Sequence, residues 1–411
     1  MSFVVERIDW TEGEAAYYAD DLMAIRAGAE SDGVLYRGAA ITPGHDRVRS
    51  PARAILLRVQ ATDGSVAWGD AVAPQYAGVG GRDLPIDPSR LAAQVDFAAA
   101  ALQAAGPLDF VGACALLEGL TLEERPLHTG LRYGLSQALL GVAARSAGTT
   151  PLRILADITG LVEPMPVPIY AQSGEDRRRN VDRMILRRVD VIPHGLINAP
   201  TAFGEDGELF LDYVRWVVQR IEQVGEEGYE PRLHFDVYGM LGDRTGNDVP
   251  TMACFCARLA VAAGGRPVQL ESPCYGADVD ETIALLAALR STLQAEGTPV
   301  GLVADEYCNG VDDVRRFVAA GAVDLVQIKM PDLGSLTEAI AAAEVCRQGG
   351  LGVFIGGSCA ETDLSAHATV DVALAVRADQ VLAKPGMGVD EGVAIVRNAM
   401  ARSLLDWRRT A

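Results

Sequence analysis

The chain has 411 residues, of which 49% are hydrophobic, and a formal net charge of −19. That is enough apolar material for a substantial core, and it excludes a disordered polymer. The acidic balance argues against nucleic acid or an anionic membrane as the main partner, and no apolar run reaches the length of a bilayer span.

The opening stretch, "MSFVVERIDWTEGE", lacks a basic segment followed by an apolar one, so no secretory signal is read there. Seven cysteines do not make a disulfide framework in a chain this long, and Cys254 and Cys256 have no second pair at zinc-site spacing. The thiols are expected to be reduced and the protein cytoplasmic.

The first 160 or so residues read as α+β. "ARAILLRVQATDGSVAWGDAVA" is two strand-like runs joined through Asp63-Gly64, a hairpin signal. In "LHTGLRYGLSQALLGVAARSAG", Leu131, Leu135, Ala138, Leu139 and Val142 recur at helical spacing, and the Gly148 region ends the helix. The prolines of "LVEPMPVPIY" mark a domain junction. Beyond it, eight short apolar runs alternate with amphipathic stretches: "VPIYAQ", "VDVIP", "LHFDVY", "PVQLES", "VGLVADE", "VDLVQIK", "LGVFIGG" and "QVLAKP". This is the pattern of an α/β chain with a TIM-type (β/α)8 barrel over residues 163–411, behind an α+β domain over residues 1–162. A doubly wound open sheet fits less well, because the first turn, "AQSGED", is not a G-x-G-x-x-G cradle.

Chemistry in such barrels sits at the C-terminal ends of the strands. Asp236, Glu271 and Asp305 end three consecutive runs, at spacings of 35 and 34 residues. Any one of them reads as a cap or a solvated loop acid. Three at equivalent positions would repel one another without a cation, and an all-oxygen cage suits Mg2+ or Mn2+. The next run carries Gln327 and Lys329 on one face. The chain has only two lysines against thirty-four arginines. Lysine, unlike arginine, can lose its proton, and a neighbouring cation would lower its pKa. Lys329 is therefore a candidate general base rather than a surface ion-pair partner. His194 ends the second run, on the far side of the acids, so two bases face each other across the mouth. His234 is assigned to packing or to orienting a neighbour, while His45, His128 and His367 join no cluster. The second lysine, Lys384, is placed on anionic groups or the rim loop, or in a structural pair with an acid such as Asp390. "GGSCAET" (Gly356 to Thr362) opens a helix, where backbone N–H groups, Ser358 and Cys359 bind an anion. "APQYAGVGGRD" (Ala73 to Asp83) is a Gly-rich lid bearing Gln75, and "YAQSGED" adds Gln172 and Ser173.

Together these residues resemble the enolase superfamily, which joins a capping α+β domain to a barrel with Asp, Glu and Asp on successive strands. Within it, "LHTGLRYGLSQALL", "QSGEDR", "DRMILRRVDVIPHGLIN", "LHFDVYG", "VADEYCN", "VQIKMPDLG" and "KPGMGVDEG" look like the methylaspartate ammonia-lyase family, over about residues 15 to 400. The resemblance implies ammonia elimination from 3-methylaspartate to give mesaconate, with Mg2+ on Asp236, Glu271 and Asp305. It implies Lys329 as base for the (2S,3S) substrate and His194 for the (2S,3R) epimer. It also implies Gln75, Gln172, Gln327, Ser358 and Cys359 as contacts to the carboxylates and amine, a homodimer, and activation by a monovalent cation such as K+. Ser358 departs from the threonine usual in the family motif. The superfamily's racemases, cycloisomerases and dehydratases commonly carry K-x-K on the second strand, which has no lysine here. A glycosidase would leave Lys329 without a role, and a barrel kept only for binding would not need the intact set.

Overall fold

The computed structural model describes residues 2–409. An N-terminal three-stranded antiparallel sheet runs in the order Val5–Asp20, Arg49–Ala61, Val66–Ala71. The last two strands form the expected hairpin, turning through Gly64 at φ +86°. The helix read from its periodicity spans Thr129–Ser146, and its five marker residues are fully buried. It lies directly on the hairpin because glycines meet at the crossing. A Cβ on Gly134 would stand 2.5 Å from the Ala71 nitrogen, and one on Gly130 would stand 2.2 Å from the Val72 oxygen. Alternation on the sheet and helical periodicity on its partner therefore bury one shared apolar layer.

All eight apolar runs become strands of one closed parallel barrel, hydrogen-bonded in sequence order from Ile169–Tyr170 round to Gln380–Leu382. Helices cover its outside. The interior is filled rather than hollow: Tyr170, Val191, Val303, Leu325, Phe354 and Leu382 form a buried cluster within it. A cavity opens at the C-terminal mouth above this packing, and the N-terminal domain lies over this mouth. The backbone N–H of Gln75 reaches the Ser358 hydroxyl at 2.9 Å, so the Gly-rich loop caps the barrel as the sequence suggests.

Candidate active site

Asp236 and Glu271 close the third and fourth barrel strands and stand directly opposite each other in the parallel register. Asp305 follows the fifth strand, Val300–Ala304. The three buried acids each offer an oxygen within 4.8 Å of the others. Their partners differ. Asp305 is bracketed by two cations, Lys329 Nζ at 2.7 Å from Oδ2 and Arg82 Nη2 at 3.0 Å from Oδ1. Asp236 accepts the Tyr238 backbone N–H at 3.1 Å. Glu271 meets His234 Nε2 at 2.7 Å and the Gln327 amide. Burial, then Glu306 and Asp305, push Asp236 well above the ordinary carboxylate range, and burial, Asp236 and Asp305 do the same to Glu271. Burial also raises Asp305, but the Lys329 and Arg82 charges outweigh it and hold the group below its usual value. Three carboxylates gathered this closely, two of them without a cationic partner, fit a hard divalent ion.

Lys329 stands one residue past the sixth strand, beside Gln327 and facing the acids. Burial and the Arg82 charge lower its pKa, but Asp305, Glu306 and Asp332 raise it more. The lowering read from the sequence presumes a cation beside the amine. The protein's own charges act the other way, because carboxylates surround it.

His194 sits at φ +70°. Its Nδ1 accepts the Leu196 N–H at 3.2 Å, and its Nε2 lies 3.3 Å from the Tyr238 hydroxyl and 3.6 Å from Asp236 Oδ2. A neutral ring that accepts at Nδ1 carries its proton on Nε2. Burial, then the Lys329 charge, lower its pKa to about 3, so the ring is uncharged. His234 has the orienting place expected of it: Nδ1 meets the Gln380 amide at 2.9 Å, which turns Nε2–H toward Glu271. Burial holds it, too, well below the ordinary imidazole value.

One cavity at the mouth is lined by Gln75, Gln172, His194, Asp236, Glu271, Asp305, Gln327, Lys329, Ser358 and Cys359, whereas Ser173 lies behind it and accepts the Gly195 N–H at 3.2 Å. Two buried polar atoms of residues on its wall, Gln172 Oε1 and the Tyr170 hydroxyl, have no protein partner. Such atoms suit a polar ligand.

At the seventh and eighth strand ends the structure refines two expectations. "GGSCAET" leads into helix Asp363–Ala375, with Thr362 as its cap. Most N–H groups of that turn are already taken: Ser358 N–H binds Glu361 Oε2 at 2.6 Å and Ala360 N–H binds Ser358 Oγ at 3.1 Å. Side chains, not a bare helix N-terminus, therefore face the cavity. Lys384 pairs with Glu361, at 2.8 Å to each oxygen, and not with Asp390, which Arg187 and Arg183 engage. Glu361 also accepts the Tyr133 hydroxyl at 2.8 Å, tying this turn to the N-terminal domain.

The sequence reading passed over Arg82, Glu306, Asp332 and Glu361. Glu306 adjoins Asp305, and Arg82 and Glu361 lie inside stretches already quoted. No local pattern separates Arg82 from the other arginines.

A closed parallel barrel with acids on three successive strand ends, a lysine on the next and a cap over the mouth has the enolase-like fold. The fold is shared with muconate lactonizing enzyme from Pseudomonas fluorescens, at a TM-score of 0.61 and 16% identity. More narrowly, the chain belongs to the methylaspartate ammonia-lyase family. The patterns described as methylaspartate ammonia-lyase N-terminus and C-terminus match residues 3–160 and 161–409. Methylaspartate ammonia-lyase 1 of Carboxydothermus hydrogenoformans is 41% identical over 98% of this chain and 97% of its own length. The Haloarcula marismortui enzyme is 41% identical over 97% and 96%. Among solved structures, the Mg complex of Clostridium tetanomorphum beta-methylaspartase superimposes at a TM-score of 0.91, with 38% identity and full coverage of both chains. The Citrobacter amalonaticus enzyme containing (2S,3S)-3-methylaspartic acid superimposes at 0.94, with 37% identity over 98% of this chain and 100% of that one. The chain is thus a carbon–nitrogen lyase with a small-molecule substrate.

Proposed function

We propose that the enzyme eliminates ammonia from (2S,3S)-3-methylaspartate to give mesaconate, with Lys329 as general base. The observation that carries this reading is the lone Lys329 ammonium beside the three buried acids at the mouth of the cavity, 2.7 Å from Asp305. Asp236, Glu271 and Asp305 would hold Mg2+, with Mn2+ as a substitute. When bound, the ion supplies positive charge where the substrate carboxylate gains negative charge as the C3–H bond breaks.

The resting Lys329 ammonium must first give up its proton, and the resulting neutral amine takes the C3 proton. The electrons of that bond pass into the adjacent carboxylate as an enolate, and as it collapses they form the C2–C3 double bond while ammonia departs from C2 with the C–N pair. Gln327 and neutral His194 Nε2–H donate to the carboxylate next to C3. Ser358 Oγ accepts two backbone N–H groups, at 2.9 and 3.1 Å, which leaves its own hydrogen for the other carboxylate. Gln75, Gln172 and Cys359 complete the cradle for that carboxylate and the amine.

His194 serves the (2S,3R) epimer from the opposite face. Because the resting ring keeps its proton on Nε2, that proton must shift to Nδ1, which now accepts the Leu196 N–H, before Nε2 can take another, and the second reaction is expected to be slower. His194→Ala should damage (2S,3R) turnover more than (2S,3S) turnover; equal loss on both epimers would remove the separate-base assignment. Homodimer assembly and activation by a monovalent cation such as K+ belong to the same proposal. Ultraviolet detection of mesaconate from (2S,3S)-3-methylaspartate, with and without Mg2+, tests the whole reading. Absence of product with Mg2+ present would overturn it.

A further inference from the structure

The loop over the barrel mouth ends in a side chain the chemistry above does not use. Gly78, Gly80 and Gly81 turn it at φ +80°, +62° and +84°. Gly80 lies against Glu306, and Asn309 Nδ2 donates to the Gly80 carbonyl at 2.5 Å. The turn delivers Arg82 into the barrel mouth with its side chain only 1% exposed. There Nε donates to Asp332 Oδ2 at 2.7 Å, Nη2 to Asp305 Oδ1 at 3.0 Å, and Nη1 lies 3.6 Å from Glu306 Oε1. A desolvated guanidinium is tolerated only with such partners, and its planar fork fixes the orientation of what it binds.

Two of these partners bracket Lys329. The far oxygen of Asp305 takes the ammonium at 2.7 Å, and the Asp332 N–H donates to the Lys329 carbonyl at 2.9 Å. One guanidinium, supplied by the other domain, thereby holds both the acid that meets the amine and the turn that carries it. Gln75 and Tyr76, at the start of the same loop, line the cavity.

We propose that Arg82 is a positioning residue: its seating between Asp305 and Asp332 makes closure of loop 76–83 and alignment of the Lys329 amine a single event. This rests on Lys329 being the base. A mere staple between domains would change stability, whereas a positioning group changes the C–H cleavage step.

The test uses the full-length enzyme with Mg2+ and with substrate carrying hydrogen or deuterium at C3. Arg82→Ala should lower kcat by about 100-fold, the scale of a small misplacement of reacting groups, and should raise the deuterium isotope effect on kcat. Added guanidinium ion should restore at least about tenfold of that loss, and methylammonium should not, because only a planar fork spans both acids. Hydrogen exchange of the 76–83 amides should speed up. Arg82→Lys should fall between parent and Arg82→Ala. Asp332→Asn, which removes one anchor and no cation, should move isotope effect and loop exchange in the same direction by less, and it decides the matter if Arg82→Ala does not fold. Survival of turnover in Lys329→Ala would overturn the base assignment. In an enzyme that needs Lys329, variants with parental isotope effect and loop exchange, or a loss that guanidinium does not relieve, overturn this proposal alone.

Discussion

The two lysines of this chain stand at strand ends of one barrel and are held in opposite ways. Lys384 is fully buried, with three acceptors around its nitrogen: both oxygens of Glu361 at 2.8 Å and the Gly356 carbonyl at 3.3 Å. An ammonium has three N–H donors, so this one is saturated. Lys329 donates to Asp305 and otherwise faces a cavity. A saturated buried amine is part of the scaffold, and one with unspent donors on an open side is placed to exchange a proton with a ligand. Size explains why Lys384 is not arginine, since its Nζ would lie 2.3 Å from a Cβ on Gly357 and leaves no room for a guanidinium. At Lys329 it is the proposed role as base that asks for a group able to lose its proton.

The largest expected effect breaks this contrast at Lys329. Lys329→Ala and Lys329→Arg should each lower kcat for (2S,3S)-3-methylaspartate by ~10²–10⁴-fold, the usual worth of a general base. Thermal denaturation should stay near that of the parent for the Arg variant, which keeps a cation beside Asp305. Parental turnover in Lys329→Arg would remove lysine from the mechanism.

The reverse pattern is expected at Lys384. Lys384→Met strands the Glu361 carboxylate in the interior, at a cost of about 3–5 kcal/mol, readable as a lower denaturation midpoint. Because Glu361 holds the Ser358 N–H, KM should rise as well. The double variant Lys384→Met, Glu361→Gln removes both charges and should recover most of the stability. If it is no more stable than the single variant, the two residues do not act as a pair.

A pH series sharpens the same point. Burial lowers the Lys384 pKa, and Glu361 only partly offsets it. Relative to the unfolded chain, holding this amine charged therefore costs stability at neutral pH. The cost is fully present below the folded value and is relieved as pH rises through that value toward the unfolded one, about 10.4. The gap between the neutral double variant and the parent should shift in the parent's favour over that alkaline window. A gap constant with pH would mean the amine's ionisation is not what burial penalises.

Sequence patterning makes the barrel and the acid triad legible for physical reasons. Every strand is a short apolar run, and each acid stands where its run ends, so one-dimensional order maps onto neighbouring strand ends. Lys329 is conspicuous because lysine is rare here. Arg82 and Glu361 are not legible, since their partners Asp305 and Lys384 lie 223 and 23 residues away and only chain folding joins them. The free amides expected along "GGSCAET" are reduced for a related reason: a helix-start pattern does not reveal that a carboxylate three residues on will take the Ser358 N–H.

The smallest expected effect lies at Ser358, where the family motif usually has threonine. Both scaffold devices converge here, since Glu361 fixes the residue's N–H and the capping loop fixes its hydroxyl through Gln75. With the backbone so held, Ser358→Thr keeps the oxygen in place and adds one methyl group to a closely packed turn. One methylene is worth about 0.8 kcal/mol when well accommodated. KM for 3-methylaspartate should therefore move by no more than about fivefold, with kcat nearly unchanged. A larger loss of kcat would show that the turn behind Ser358 is less firmly held than its hydrogen bonds imply, and it would weaken the assignment of Lys384 to the scaffold.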